Sequence, residues 1–220
     1  MMAYILLIVV TMAIGGGAQW YVNHQIKKYS YVPNTSRMTG AQVAQGMLHY
    51  YGIYDVPVRM GGHDQNFFNP KDNSITLDPQ SFNGSSITAT ATACHEVGHA
   101  CQYAQGYMPM KVRGAMVPVV NFASNAWIFI LMIGVFLNVI GLVQLAIAFY
   151  AFAVLFQIVT LPVEFDASHR AMKYMATTGI PSGEQSGAWS VLRACALTYV
   201  AAALVAVLQL LYLIASNSRE

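Results

Sequence analysis

Long apolar runs dominate the pattern of hydrophobic and polar positions along this chain. Residues 1–20 and 194–215 are each long enough for one helix across a bilayer core of about 30 Å, and residues 116–161 are long enough for two. Asn138 and Gly141 mark the turn between those two helices. Because the first run lacks the positively charged start of a signal peptide, we expect it to be retained. The pattern predicts four transmembrane helices.

The segments between these runs have mixed patterns that predict short elements. Residues 39–51 form an amphipathic pattern with Thr39 as the helix N-cap and Gly52 as its stop. Residues 56–60 and 74–77 have strand composition, and the residues between them include several turn formers. These segments predict one helix followed by a short hairpin or small sheet.

Composition agrees with a membrane protein. The chain is 56% hydrophobic and only 9% charged, and its mean hydropathy of +0.46 is too high for a typical soluble domain. A net charge of +2 without a basic patch interleaved with aromatic residues gives no basis for nucleic-acid binding. The three cysteines have no CxxC spacing, so we interpret them as small core residues.

Charge bias predicts the orientation of the chain. Lys27 and Lys28 follow the first run, and Arg170 and Lys173 lie in residues 162–193, which two crossings return to the same side. Positively charged flanks favour the cytoplasm. We therefore expect a multi-pass protein of the plasma membrane whose residues 21–115 and 162–193 together face the cytoplasm.

One motif supplies candidate chemistry: His95-Glu96-Val97-Gly98-His99. A helix predicted from Ser85 or Ser86 to about Gln105 places the two imidazoles on one face, at the spacing that holds a zinc ion. Glu96, beside the first histidine, is placed to act as a general base toward a zinc-activated water. The motif predicts two zinc ligands and a base.

A third ligand must come from elsewhere, because a catalytic zinc usually has three protein ligands and one open position. The segment that follows the third predicted span offers Glu164, Asp166 and His169. Spacing alone leaves these three alternatives open.

Several stretches resemble the YugP-like family of bacterial membrane zinc metallopeptidases. The resemblance covers nearly the whole chain and is carried by residues 48–56, 95–100, 106–109, 117–122, 156–165 and 196–204. It implies a membrane protease that binds one zinc ion through His95, His99 and Glu164, as in gluzincins, with Glu96 as the base. Its substrate would be a protein or peptide.

The sequence departs from the family pattern at two places. Residues 66–70 read Asn-Phe-Phe-Asn-Pro where Asp-His-Tyr-Asp-Pro is common, and Asp166 and His169 replace Asn and Arg. If the histidine of the family pattern assists catalysis in other members, Phe67 cannot take that role here, whereas the zinc ligands are unchanged.

Taken together, these observations predict a mainly α multi-pass membrane protein with about four transmembrane helices and a small α+β zincin-like cytoplasmic module. The predicted function is peptide-bond hydrolysis, with protein substrates and the lipid bilayer as partners. The first alternative is a site-2-type intramembrane protease, which the polar motif helix disfavours. A second is a catalytically silent zinc-binding scaffold or assembly factor. Small residues such as those at 201–203 allow close helix packing, either within the protein, which we favour, or between copies in a homo-oligomer or with a membrane partner protein.

Overall fold

The computed structural model describes residues 2–217, which form seven helices and one three-stranded sheet. Met1, at the start of the first predicted span, and residues 218–220 lie outside the described residues. The helices are α1 Met2–Ser30, α2 Gly40–Tyr50, α3 Pro79–Asn83, α4 Ile87–Ala104, α5 Met108–Phe136, α6 Ile140–Thr177 and α7 Ser182–Asn217. The strands are β1 Val58–Met60, β2 Phe67–Asn69 and β3 Ser74–Leu77.

Four of these helices, α1, α5, α6 and α7, are long and apolar enough to cross a membrane. They confirm the prediction of a mainly helical chain with four candidate spans. Helix α5 packs on α6, α6 on α7, and α7 on α1. Asn138, with a φ of 53°, lies in the tight turn between α5 and α6, where the sequence predicted a turn.

Helix α6 is much longer than the apolar run that predicted it. Its 38 residues span about 57 Å, whereas a bilayer core is about 30 Å thick. Pro162 lies inside α6 without ending it. The polar second half of α6 therefore extends beyond the apolar run, as does the first part of α7.

A packed core forms where these extensions meet α4. Helix α4 lies between α2 and α6 and also contacts α7. Its fully buried side chains join those of the neighbouring elements in one apolar cluster, which includes Met47, Leu48, Ile75, Leu77, Cys94, Val97, Ala171, Met175, Val191 and Leu192. This core holds α4 against the second half of α6.

Of the predicted alternatives, a hairpin or a small sheet, the structure has the small sheet. Its strand order is β1-β3-β2, with β1 parallel to β3 and β2 antiparallel to it. The two predicted strands therefore pair without forming a hairpin, because the segment between them contributes β2. Phe68 of β2 is buried, with its ring 5.6 Å from that of Tyr103. This contact attaches the edge strand to α4, and three residues were too short a run to be recognised.

Candidate metal centre

Local sequence sets the bounds of α4, the helix that carries the histidine motif. The Ser86 side chain accepts a hydrogen bond from the backbone of Ala89 and caps the first turn. Gly106, with a φ of 66°, follows the C-cap residue Gln105 and ends the helix. These bounds match the predicted helix and leave the motif in its middle.

A close approach of two helix backbones completes the candidate centre. Gly98 lies between the two motif histidines, and a Cβ atom added to it would be only 2.5 Å from the carbonyl oxygen of Ala167 on α6. Only glycine allows α4 and α6 to come this close. The contact brings Glu164, one turn earlier on α6, to the histidine face of α4.

The three predicted ligand side chains converge. His95 Nε2 is 3.2 Å and His99 Nε2 is 3.7 Å from Glu164 Oε2. Donor atoms bound to one tetrahedral zinc ion would lie about 3.4 Å apart, so the two distances bracket this value. Within residues 2–217, these three are the one group of His, Cys, Asp or Glu placed to hold a metal ion. Two imidazoles and a carboxylate suit zinc.

Hydrogen bonds on the far side of each imidazole orient its Nε2 toward Glu164. Gln102 Nε2 donates to Val163 O at 2.7 Å and to Asp166 Oδ2 at 2.9 Å, so its Oε1 is left to accept. His99 Nδ1 lies 3.0 Å from that oxygen and donates to it. His95 Nδ1 is 3.2 Å from Ser168 Oγ. The Gln102 oxygen therefore fixes the His99 tautomer that leaves Nε2 free to bind a metal, and the Ser168 hydroxyl orients the His95 ring.

Burial strengthens the interactions between the charged side chains of the cluster. Glu164 is 2% exposed, and Arg113 Nη1 lies 3.6 Å from its Oε1. Burial alone would lower the pKa of His99, but hydrogen bonding to Glu164 and the charges of Glu96 and Glu164 outweigh it and raise the pKa. The site thus favours positive charge beside its carboxylates.

A cavity of about 610 Å³ opens beside the cluster. Glu96, His95 and His99 line one wall, and β2 with the loop after it lines another. Three cationic side chains also line the cavity: Lys71, Lys111 and Arg113. A chain segment entering this space would meet both the candidate metal centre and the edge strand.

The structure does not bring the other two candidate ligands into the cluster. Asp166 accepts hydrogen bonds from Gln102 and from Arg170 Nε, the latter at 2.5 Å. His169 is exposed and lines a separate cavity between α6 and α7. The zinc-ligand and base roles themselves stay predictions.

The cysteines of α4 also lie away from the cluster. Cys94 and Cys101 are fully buried in the core and form no disulfide. Burial raises the pKa of Cys101 to about 11, so its thiol is protonated at neutral pH. This environment fits the interpretation of small core residues.

Sequence reasoning missed three side chains that contact the cluster. Gln102 follows His99 by three positions and Ser168 follows Glu164 by four, so a search along each helix face would have found both. Arg113 lies on α5, and no pattern in the sequence connects it to Glu164.

Comparisons with known proteins agree with this geometry. The family model described as "Putative neutral zinc metallopeptidase" matches residues 4–218. Over 212 residues the chain is 40% identical to "Putative membrane protease YugP" of Bacillus subtilis (strain 168), an alignment that covers 96% of this chain and 94% of that protein. No solved structure matches the chain.

Proposed function

The chain belongs to the neutral zinc metallopeptidase family, and we propose that it is a membrane-bound zinc endopeptidase with a cytoplasmic catalytic module. One observation carries the proposal: three candidate ligands lie together on the wall of a cavity, with Glu96 beside them. A structural zinc site would need a fourth protein ligand, and residues 2–217 offer none in this cluster.

His95, His99 and Glu164 would hold the ion. Bound zinc supplies a Lewis acid that activates a water molecule and polarises the scissile carbonyl. Glu96, 7% exposed on the cavity wall, would accept a proton from the attacking water as the new carbon–oxygen bond forms. The same carboxyl would then give that proton to the leaving amine nitrogen as the peptide bond breaks.

The edge strand β2 is placed to bind the substrate backbone. Among the described residues 2–217 it has β3 on one side and no strand on the other, and Phe67, Phe68 and Asn69 all line the cavity. An extended peptide can add to such an edge by pairing its backbone amides and carbonyls. We propose this pairing as the way a substrate segment is held beside Glu96.

A test of catalysis compares wild type with Glu96→Gln after purification in detergent. We expect about one zinc ion per chain in both proteins, and cleavage of an unfolded protein such as reduced casein only by the wild type. Loss of the base should slow turnover by about 10²-fold to 10⁴-fold. Asp64→Asn, which changes an exposed carboxylate, is the matched control and should cleave at the wild-type rate.

Two results would contradict this function. Cleavage by Glu96→Gln at the wild-type rate would remove Glu96 from the mechanism. Wild-type protein that binds zinc and cleaves none of a panel of unfolded proteins would favour the silent scaffold.

The proposed orientation places the α5–α6 turn outside the cell. Ten of the eleven Lys and Arg residues lie in or beside segments 21–115 and 162–193, with Arg219 the exception. In intact cells, a membrane-impermeant maleimide should label Asn138→Cys and spare Lys173→Cys. The opposite labelling would reverse the topology.

A further inference from the structure

A second cavity, of about 530 Å³, lies in the groove between α6 and α7. It shares no lining residue with the cavity at the candidate metal centre. Most of its lining is apolar, but it contains two groups that carry or accept positive charge, His169 and Arg193. The peptidase function gives this cavity no role.

The antiparallel directions of α6 and α7 place this cavity across the edge of the apolar zone. Helix α6 runs out of its apolar stretch, so Phe165 lies nearer the membrane than His169. Helix α7 runs the opposite way, so Arg193 lies nearer the surface than Leu197 and Val200. The cavity therefore has an apolar end toward the bilayer and a basic end at its surface.

The basic end lacks a counter-charge. Within residues 2–217, Arg193 and His169 take part in no ion pair, and none of the lining residues is acidic. The planar guanidinium group of an arginine suits the binding of a phosphate. Trp189, which also lines this end, is a residue type enriched at the surface of bilayers.

We propose that this cavity binds an anionic phospholipid, with the phosphate at Arg193 and His169 and an acyl chain along Phe165, Leu197 and Val200. Basic pockets between transmembrane helices bind anionic headgroups in this way. A zwitterionic headgroup fits less well, because its ammonium group would meet no carboxylate in the lining. The apolar end of the cavity would be used by a lipid acyl chain but not by free phosphate.

Fluorescence quenching by brominated lipid tests this site directly. The chain has three tryptophans, so Trp20→Phe with Trp127→Phe leaves Trp189 as the reporter inside the cavity. Phosphatidylglycerol with brominated acyl chains is titrated into this protein in phosphatidylcholine micelles. We expect saturable quenching that unbrominated phosphatidylglycerol reverses and that excess phosphatidylcholine or inorganic phosphate does not.

Charge variants then locate the headgroup. Arg193→Ala should weaken the apparent affinity about tenfold through loss of a charge-assisted hydrogen bond, whereas Arg193→Lys should retain most of it. Lys173→Ala removes an exposed cation of α6 outside the cavity and should change nothing. Circular dichroism and zinc content check that each variant is folded.

Three outcomes would overturn the proposal. Brominated phosphatidylcholine that quenches with the same saturation would indicate ordinary boundary lipid. Reversal by inorganic phosphate would indicate a phosphate site without a lipid chain. Equal weakening by Lys173→Ala and Arg193→Ala would indicate a diffuse charge effect. The first two outcomes are measured on protein that retains Arg193. They therefore test the lipid site even if Arg193→Ala does not fold.

Discussion

The two halves of the candidate metal centre are built over different ranges of sequence. Helix α4 supplies His95 and His99, and any regular helix would place them on one face. Helix α6 supplies Glu164, which is 69 positions from His95 and reaches it only because the two helix backbones touch at Gly98. The α4 half therefore depends on local structure, whereas the α6 half depends on tertiary packing.

Removal of the ligand that α6 supplies should have the largest effect on zinc affinity. Glu164→Ala leaves the two histidines as a weak pair and also leaves Arg113 without its carboxylate partner. We expect zinc affinity to fall by more than about 100-fold, since loss of even an outer partner costs 10-fold to 100-fold. Zinc content per chain after dialysis against a weak chelator measures the loss.

Asp166→Ala is the control for that experiment, because Asp166 lies two residues away and bonds to Gln102 without joining the cluster. It should retain more zinc than Glu164→Ala. The reverse order, with zinc kept in Glu164→Ala and lost in Asp166→Ala, would transfer the α6 ligand to Asp166.

The same division explains what the sequence could predict. The N-caps of α2 and α4 follow from neighbouring residues, and the structure has them where the pattern placed them. The number of apolar spans also follows from the pattern, although α1 and α7 extend beyond the apolar runs that predicted them. The bounds of α6 did not follow, because its second half is helical through packing on α4 and not through apolar composition. Strand β2 was missed since its support comes from β3 and from Tyr103.

Gly98→Ala tests the packing step with a change that keeps every ligand. An added Cβ at 2.5 Å from the Ala167 carbonyl must push α4 and α6 apart, which we expect to cost about 1–3 kcal/mol of stability. Helix α4 itself should not suffer, because alanine favours a helix over glycine by about 1 kcal/mol. Thermal unfolding and chelator-dependent zinc loss should both report the separation.

Gly183→Ala is the matched change, since a Cβ there would have no neighbour within 4 Å. Its zinc affinity and unfolding temperature should equal or exceed those of wild type. If Gly98→Ala also bound zinc as tightly as wild type, the α6 half would not depend on this contact.

The smallest losses of zinc affinity should follow substitution of the side chains that orient each histidine. Gln102 is fully buried and links the halves, with His99 on one side and Val163 and Asp166 on the other. Gln102→Leu leaves several buried groups unpaired and should weaken zinc binding toward the upper end of the 10-fold to 100-fold range.

Ser168→Ala removes one 3.2 Å contact to His95 Nδ1 and should weaken zinc binding about tenfold, the lower end of that range. Gln105→Leu, which changes an exposed side chain at the end of α4, should leave zinc binding near the wild-type value and thereby control for loss of an amide. Titration with a competing chelator ranks the zinc affinities of all three variants.

A larger loss of zinc affinity in Ser168→Ala than in Gln102→Leu would mean that the orientation of His95, and not the bridge through Gln102, is the main contribution of α6 beyond Glu164. In that case the dependence of the centre on tertiary packing would run through the first motif histidine as well as the third ligand.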